Sequence, residues 1–420
     1  MTFDEAVSYI HSLLAFGIQP GLSRIEALLA KLGNPEQQLQ FIHVAGTNGK
    51  GSTSTMLSQI LKAAGKKTGL FTSPYVYSFC ERMQINNQNI EEQALADIVT
   101  RVKAAIEALS AEGIQPTEFE AITAAAMLWF QEEACDVVVL ETGLGGRLDS
   151  TNVIATPLVT VITSISLDHT AILGDTIEKI AAEKAGIIKE NATVVTTNRQ
   201  DAAAYAVLSQ TTKEKHGRLV TGDVDSAKLV TRTLQKTVFT YAGETYEMPL
   251  VGAYQLENAV GVIEAAQTLD FVKPEHIKWG LAHTVMRARC EYQAATKTKP
   301  AILLDGGHNP ECAEALAEVL EQFAPRAVTA VVGMMRDKDT KAYLETILPY
   351  CDAVYFCKPQ NPRAAEPTAL MEDAKGMPCR MYVEANPQAA YEAAKRTTAK
   401  DGLLLLCGSF YMLSEVDCER

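Results

Sequence analysis

The chain has 420 residues, 47% of them hydrophobic and 21% charged, and a formal net charge of −13. That length exceeds one typical core and predicts two domains of an ordinary globular protein. The acidic balance argues against nucleic acid or an anionic membrane as partner, no apolar run reaches membrane-spanning length, and the acidic start Met1-Thr2-Phe3-Asp4-Glu5 does not read as a signal peptide.

The first forty residues are helical in pattern. Phe41-Ile42-His43-Val44-Ala45 then reads as a buried strand. It runs into Gly46-Thr47-Asn48-Gly49-Lys50-Gly51-Ser52, and from Thr53 to Ala64 the residues Met56, Leu57, Ile60, Leu61 and Ala64 fall on one helical face. A strand, a glycine-rich turn with one lysine and a helix make the recipe for holding a polyphosphate. Glycines let backbone N–H groups approach phosphate oxygens, and the helix start adds unpaired N–H groups and partial positive charge. Lys50 can reach the outer phosphates, and the Ser52 hydroxyl can face Mg²⁺. The spacing departs from the commonest phosphate loop, G-x-x-x-x-G-K-[ST], by the extra Gly51 and a shorter lead-in. The alternative is a plain strand–turn–helix connection.

A second strand and turn, Thr68-Gly69-Leu70-Phe71-Thr72-Ser73-Pro74-Tyr75, precedes helical stretches from Glu91 to about Ser110 and from Phe119 to Glu133. Val137-Val138-Val139-Leu140, ending in Glu141, reads as a buried parallel strand, as does Leu158 to Ile165, ending near Asp168-His169. Asp175 or Thr176 is placed to cap a helix to about Ala185, with Glu178 for the reciprocal contact and Gly186 as the stop. Leu219 to Leu250 turns β-rich around Ala242-Gly243-Glu244, the pattern of a hairpin at the edge of the sheet. The polar, proline-ended run 294–300 reads as a linker between a first domain, 1–293, and a second, 301–420. Beyond it, strands at Ala301–Asp305, Ala327–Gly333, Ala353–Cys357, Arg380–Val383 and Leu403–Cys407 alternate with helices, giving a smaller α/β domain with a mostly parallel sheet. The nine cysteines form no C-x-x-C pair, which fits free thiols in a reducing cytoplasm and argues against structural zinc.

Open α/β sheets bind ligands at the carboxyl ends of their strands. Besides the phosphate loop, those ends carry Thr72-Ser73, Glu141, Asp168-His169, Asp305 and His308. Glu141 can bind Mg²⁺ directly or through water, or cap a helix. His169 alone reads as structural or solvated, and Lys184 as a helix-end lysine favoured by the dipole. Asp305-Gly306-Gly307-His308-Asn309-Pro310 is a helix entry on turn chemistry alone. Arg287 and Arg289 can swing to phosphate or stay solvated.

Taken together, the phosphate loop, Leu70–Pro74 with Glu81-Arg82, Glu141-Thr142-Gly143-Leu144-Gly145-Gly146-Arg147-Leu148-Asp149-Ser150-Thr151-Asn152, Asp168-His169-Thr170, Leu173-Gly174-Asp175-Thr176, Glu183–Lys189, Gln255–Ala259, Asp305–Pro310 and Asp337-Lys338-Asp339 resemble the folylpolyglutamate synthase/dihydrofolate synthase family within the Mur-ligase group. The likeness covers nearly the whole chain. It implies a P-loop parallel-sheet ATPase domain plus a smaller Rossmann-like α/β domain, working as a cytoplasmic monomer. The implied activity is ATP-dependent ligation of L-glutamate to folates through an acyl phosphate, with dihydropteroate as a further substrate to be tested. By position, Gly46, Thr47, Asn48, Gly49, Lys50, Gly51, Ser52, Asn258, Arg289, Asp305 and His308 match ATP contacts. Ser52, Ser73 and Glu141 match ligands of a first Mg²⁺ and His169 of a second. Lys184 matches a lysine carried as a carbamate, an anionic oxygen ligand where a free ammonium would repel the metal. Thr72, Ser73, Pro74, Tyr75 and Arg82 match the loop shaping the folate site. Tyr75 stands where the family usually has His. In Met286-Arg287-Ala288-Arg289-Cys290-Glu291, Arg289 is taken as the family arginine because Glu291 keeps its place, with Arg287 as the alternative.

Three other functions fit the sequence less well. A peptidoglycan-type Mur ligase is disfavoured because only about forty residues precede the phosphate loop, too few for a domain of usual size. A P-loop switch GTPase would carry an Asn-Lys-x-Asp segment, and none occurs. A non-catalytic P-loop nucleotide binder would have lost a catalytic group, yet Lys50, Glu141, His169 and Lys184 are all present.

Overall fold

A computed structural model describes residues 1–17, 19–322 and 327–418. The chain divides into two compact units. The first comprises Met1–Val230, Val238–Met248 and Gln255–Thr284, and the second Thr231–Thr237, Pro249–Tyr254 and Val285–Arg420.

The first unit is built on an eight-stranded sheet. Its strands are β1 (Phe41–Ala45), β2 (Thr68–Phe71), β3 (Met83–Ile85), β4 (Gln88–Asn89), β5 (Val137–Glu141), β6 (Val159–Ile162), β7 (Thr193–Thr197) and β8 (Arg218–Gly222), in the order β4-β3-β2-β5-β1-β6-β7-β8. From β2 to β8 every pairing is parallel, while β3 and β4 add an antiparallel edge. The apolar runs explain the centre. β1 and β5 are buried at every residue, as strands covered on both faces must be. Because β1 lies between β5 and β6, the loop leaving it opens between Glu141 on one side and the segment after Ile162 on the other.

Thr176 is the helix cap, accepting from Lys179 N over the helix Ile177–Ala185. Lys179 is therefore the third helical residue, and Glu178 is not placed for the reciprocal contact. Only the first residues of the β-rich stretch, in β8, belong to the main sheet. Its later strands β9 (Lys228–Arg232), β10 (Thr237–Tyr241) and β11 (Glu244–Met248) form a separate sheet in the order β11-β10-β9. Ala242 and Gly243 supply the two positive φ values of a tight turn. This sheet buries one face of its own, with Phe239 stacked on Tyr246 at 5.5 Å.

The second unit holds β12 (Glu291–Gln293), β13 (Ala301–Asp305), β14 (Val328–Val332), β15 (Ala353–Phe356), β16 (Arg380–Val383) and β17 (Leu403–Cys407), ordered β12-β13-β17-β14-β15-β16. All pairings are parallel except β12 with β13. That exception moves the expected boundary. Glu291 pairs with Leu304 and Gln293 with Ile302, so residues 294–300 form the loop of a hairpin inside the second unit. The units divide instead at Thr284 and Val285. A hairpin loop and a domain linker are both solvated and irregular, so composition alone does not separate them.

All nine cysteines are free. Cys80 and Cys135 lie in the first unit, the other seven in the second. Among the described residues no helix is long and apolar enough to cross a membrane.

Candidate active site

The phosphate loop leaves β1 and is clamped by the segment after β6. Thr47 N donates to Ser164 O at 2.7 Å, Thr47 Oγ1 to Ser166 O at 3.1 Å, and Thr163 Oγ1 to Asn48 O at 2.7 Å. Two glycines are required by space. A Cβ on Gly46 would lie 1.7 Å from Thr163 Oγ1, and one on Gly49 (φ 84°) 2.3 Å from Asn258 Oδ1. Gly49 is the cap from which the helix Lys50–Ala63 starts. Asn258 thus lies against the loop. Its neighbour Gln255, absent from the expected site, is fully buried and donates to Ser52 Oγ at 3.2 Å. Asn258 Nδ2 donates in turn to Gln255 Oε1 at 3.3 Å. A polar side chain burying itself against the loop serine is a positioning contact. Its only sequence signal was membership of the Gln255–Ala259 motif.

Two lysines converge on one carbonyl. Lys50 Nζ donates to Gly46 O and Thr47 O, each at 3.1 Å, and Lys184 Nζ donates to Gly46 O at 2.7 Å. Lys184 is 3% exposed. Burial is the first cause, and the Lys50 charge the second, that pull its pKa from 10.5 down to about 7. Lys184 is therefore no solvated helix-end lysine. Near neutral pH much of it is an uncharged amine, the form that adds to carbon dioxide.

Glu141 ends β5 almost fully buried, and its Oε2 accepts from Ser73 N at 3.1 Å. Glu141, Ser52 and Ser73 offer hard oxygen donors, the set that suits Mg²⁺ completed by water and phosphate oxygens. Among the described residues no group of three or more His, Cys, Asp or Glu forms a metal cage, so an ion here depends on hydroxyls and substrate. His169 caps the short helix Thr170–Leu173 with φ 49°, and its half-exposed ring stands 3.9 Å from Asp168 Oδ2.

Beside Ser73 lies a cleft of about 570 Å³, contained in the first unit. Segments far apart in sequence build it, among them residues 19–21, the helix entry 117–120 and the loop 143–150. Of the expected folate residues, Ser73, Pro74 and Arg82 line it; Thr72 and Tyr75 do not. Thr72 is tied into the base of its loop, its N donating to Arg82 O at 3.1 Å. Tyr75 packs on Phe79, and the Arg82 guanidinium sits over both rings at 5.2 and 5.5 Å.

Asp149 shapes the loop 143–150. It is buried, and its carboxylate accepts from Leu144 N at 2.7 Å, Thr151 N at 3.0 Å and Thr151 Oγ1 at 2.5 Å. Behind it His43 Nε2 meets Thr151 Oγ1 at 2.9 Å. Since Thr151 gives its proton to Asp149, the histidine must donate, which fixes the Nε2–H tautomer. Burial first, and the Lys189 charge second, depress the His43 pKa from 6.5 to about 3. The unfolded chain then binds the extra proton between pH 6.5 and 3, so this residue's contribution to stability falls as pH drops through that window. Between pH 7 and 5, wild type should lose about 2 kcal/mol more stability than His43→Gln, which keeps the donor without the titration. Urea unfolding at the two pH values reads this directly, and equal losses would contradict it.

In the second unit Asp305 ends β13 fully engaged. Its Oδ2 accepts from Cys290 N at 2.9 Å and its Oδ1 from Gly307 N at 2.8 Å. Arg287 pairs with Glu291 Oε1 at 2.7 Å, while Arg289 lies over the Phe410 ring at 4.6 Å. The two arginines thus differ: Arg287 is held by a carboxylate, Arg289 by an aromatic face. His308 Nδ1 is 3.2 Å from Gly306 O, and Asn309 caps the helix Pro310–Glu321. The turn chemistry expected of Asn309-Pro310 is therefore present.

Comparison with known proteins agrees across the whole chain. Residues 44–266 match the Mur ligase middle domain family, and residues 288–410 the Mur ligase glutamate ligase domain family. The chain is 36% identical to the dihydrofolate synthase/folylpolyglutamate synthase of Bacillus subtilis (strain 168), over 99% of this chain and 98% of that one. The crystal structure of Thermotoga maritima folylpolyglutamate synthase is similar with a TM-score of 0.86 at 31% identity, covering 99% of this chain and 95% of that chain. Escherichia coli FolC in complex with DHPP and ADP gives 0.84 at 30% identity, covering 99% and 96%. On these matches the chain belongs to the folylpolyglutamate synthase/dihydrofolate synthase family.

Proposed function

We propose that the chain joins the amine of L-glutamate to a folate carboxyl at the expense of ATP, and that it also accepts dihydropteroate. One observation carries this reading: Ser73 lines the cleft and donates its N–H to Glu141, so the end of the cleft meets the proposed metal-binding side of the phosphate loop. A flat, mostly apolar molecule held in the cleft presents its carboxylate where the terminal phosphate of ATP lies. Carboxylate and amine do not condense in water, because no oxygen of the carboxylate is a leaving group. The carboxylate oxygen attacks the γ-phosphorus and ADP leaves. The amine then attacks the acyl carbon, and inorganic phosphate leaves from the tetrahedral intermediate as the nitrogen loses its proton.

This chain's residues have distinct tasks. Lys50 leaves its carbonyl partners for the β- and γ-phosphates, and the loop N–H groups steady them. Ser52, Ser73 and Glu141 would hold one Mg²⁺, and His169 with Lys184 as its carbamate a second. Bound there, Mg²⁺ supplies charge neutralisation between the two anions that must meet. Asn258 supports the nucleotide side of the loop, and Arg289, Asp305 and His308 would be nucleotide contacts, as their match to the family's positions implies. The chain acts as a monomer in the cytoplasm. The test is phosphate release by purified protein with ATP, Mg²⁺ and glutamate, given tetrahydrofolate or dihydropteroate separately. Release that needs both glutamate and a folate supports the reading, release with dihydropteroate establishes the second activity, and none with either substrate sinks it.

A further inference from the structure

The sheet of the second unit ends in two edge strands, and they differ. β12 is half-buried along its length, while β16 leaves Arg380, Tyr382 and Val383 exposed, with Glu384 exposed just beyond it. An exposed edge is a template for another strand unless proline, a bulge or a covering element blunts it. Arg380-Met381-Tyr382-Val383 contains no proline and pairs with β15 residue for residue, without a bulge.

Hydrogen bonds show which groups face outwards. Arg380 N donates to Asp352 O at 3.1 Å and Glu384 N to Phe356 O at 2.9 Å, so the even-numbered residues turn their backbone groups towards β15. By alternation, Met381 and Val383 turn their N–H and C=O groups to the open edge, where the sheet has no further strand. Side chains alternate as well. Arg380, Tyr382 and Glu384 share one face, and Tyr382 stacks there on Tyr355 of β15 at 4.7 Å. Neither the Arg380 nor the Glu384 side chain has an ion-pair partner among the described residues.

The segment is self-complementary. Set antiparallel to a second copy of itself about Tyr382, Arg380 falls opposite the second copy's Glu384, and Glu384 opposite the second copy's Arg380. Met381 and Val383 fall opposite each other and exchange both backbone hydrogen bonds on each side of the dyad. The Tyr382 rings meet at the axis as a non-hydrogen-bonded pair, the closer kind, and prolong the aromatic row that starts at Tyr355. A slip of two residues would keep backbone bonding but set Arg380 opposite Tyr382 and lose both charge pairs, so the charges select the register.

We propose that the β16 edge is a self-association surface, on which two copies of the chain pair strand to strand about a two-fold axis at Tyr382. None of the residues assigned to the site lies in 380–384, so pairing leaves each chain to act by itself. The contact is short, and association is therefore weak and concentration-dependent.

Sedimentation velocity of the full-length protein tests this. Wild type should pass from monomer at about 1 µM to mostly dimer by about 300 µM. Arg380→Glu and Glu384→Arg each set like charges opposite one another, twice over by symmetry, and each should weaken pairing about tenfold or more. The double variant Arg380→Glu/Glu384→Arg exchanges the partners and should return to within about threefold of wild type, a restoration that a merely structural effect does not produce. Unfolding midpoints equal to wild type in dilute solution are the control for folding. A wild type that stays monomeric at about 300 µM overturns the proposal and leaves the edge to a strand of another protein. A dimer indifferent to the single reversals, or not restored by the double one, places the contact elsewhere and overturns it as well.

Discussion

Lys184→Met is expected to abolish ligation and, in the same protein, to strengthen the fold at neutral pH. The two effects share a cause. Lys184 is buried, donates to Gly46 O at 2.7 Å and has its pKa pulled down to about 7. In the unfolded chain it returns to its ordinary value, so holding it charged inside the fold costs roughly 5 kcal/mol below pH 7. Between pH 7 and 10.5 the folded amine is neutral while the unfolded one still binds a proton, so that cost shrinks as pH rises and vanishes above the window. Methionine has similar length and no charge. It forfeits the Gly46 hydrogen bond, worth about 1–3 kcal/mol, and leaves a net gain of about 2–4 kcal/mol at pH 6 that fades towards pH 10. Denaturant unfolding in carbonate-free buffer at several pH values follows this. Activity should move the other way, falling at least about a hundredfold, since neither amine nor carbamate is available beside the phosphates. Near-normal turnover would refute the carbamate role; a variant destabilised at pH 6 would refute the buried-charge argument.

Asp149→Ala should produce the largest loss of stability among the site substitutions, about 3–5 kcal/mol. Its nearly buried carboxylate answers Leu144 N, Thr151 N and Thr151 Oγ1, and alanine takes that acceptor from all three donors. Thr151→Val removes the hydroxyl joining Asp149 to His43 and should cost about 1–2 kcal/mol. The two changes share one network, so the double variant should fall short of their sum. Strict additivity in a double-mutant cycle would show that the chain of hydrogen bonds is not energetically connected. Since residues 143–150 wall the cleft, Asp149→Ala should also raise KM for the folate more than KM for ATP.

Several features were legible in the sequence because one local property determines each. Apolar runs of four or five residues, interrupted only by His43 in β1, located β1, β5, β13 and β17, since a strand covered on both faces tolerates such a run. The phosphate loop was legible because its glycines answer steric demands fixed within a few residues. The cleft was not, because its walls come from segments that only the fold brings together. Residues 143–150 stood out as a motif while their partners at 19–21 and 117–120 carried no signal. Gln255 escaped for a similar reason: its partner Ser52 is 203 positions away. His43 looked like one more residue of an apolar strand, and its tautomer depends on a threonine far along the chain. The assumed linker failed on composition that a hairpin loop shares.

The thiols have a use outside the chemistry of the site. Cys80 and Cys135 are buried in the first unit, and Cys290, Cys351, Cys357, Cys407 and Cys418 in the second. Burial pushes the proton affinity of Cys80, Cys135, Cys290, Cys351, Cys357 and Cys407 upward, so in the folded state these sulfurs are both shielded and protonated. An alkylating reagent reaches them when the surrounding structure opens. Peptide mapping of the tagged positions would therefore time the opening of each unit separately within one intact chain, with no mutation introduced.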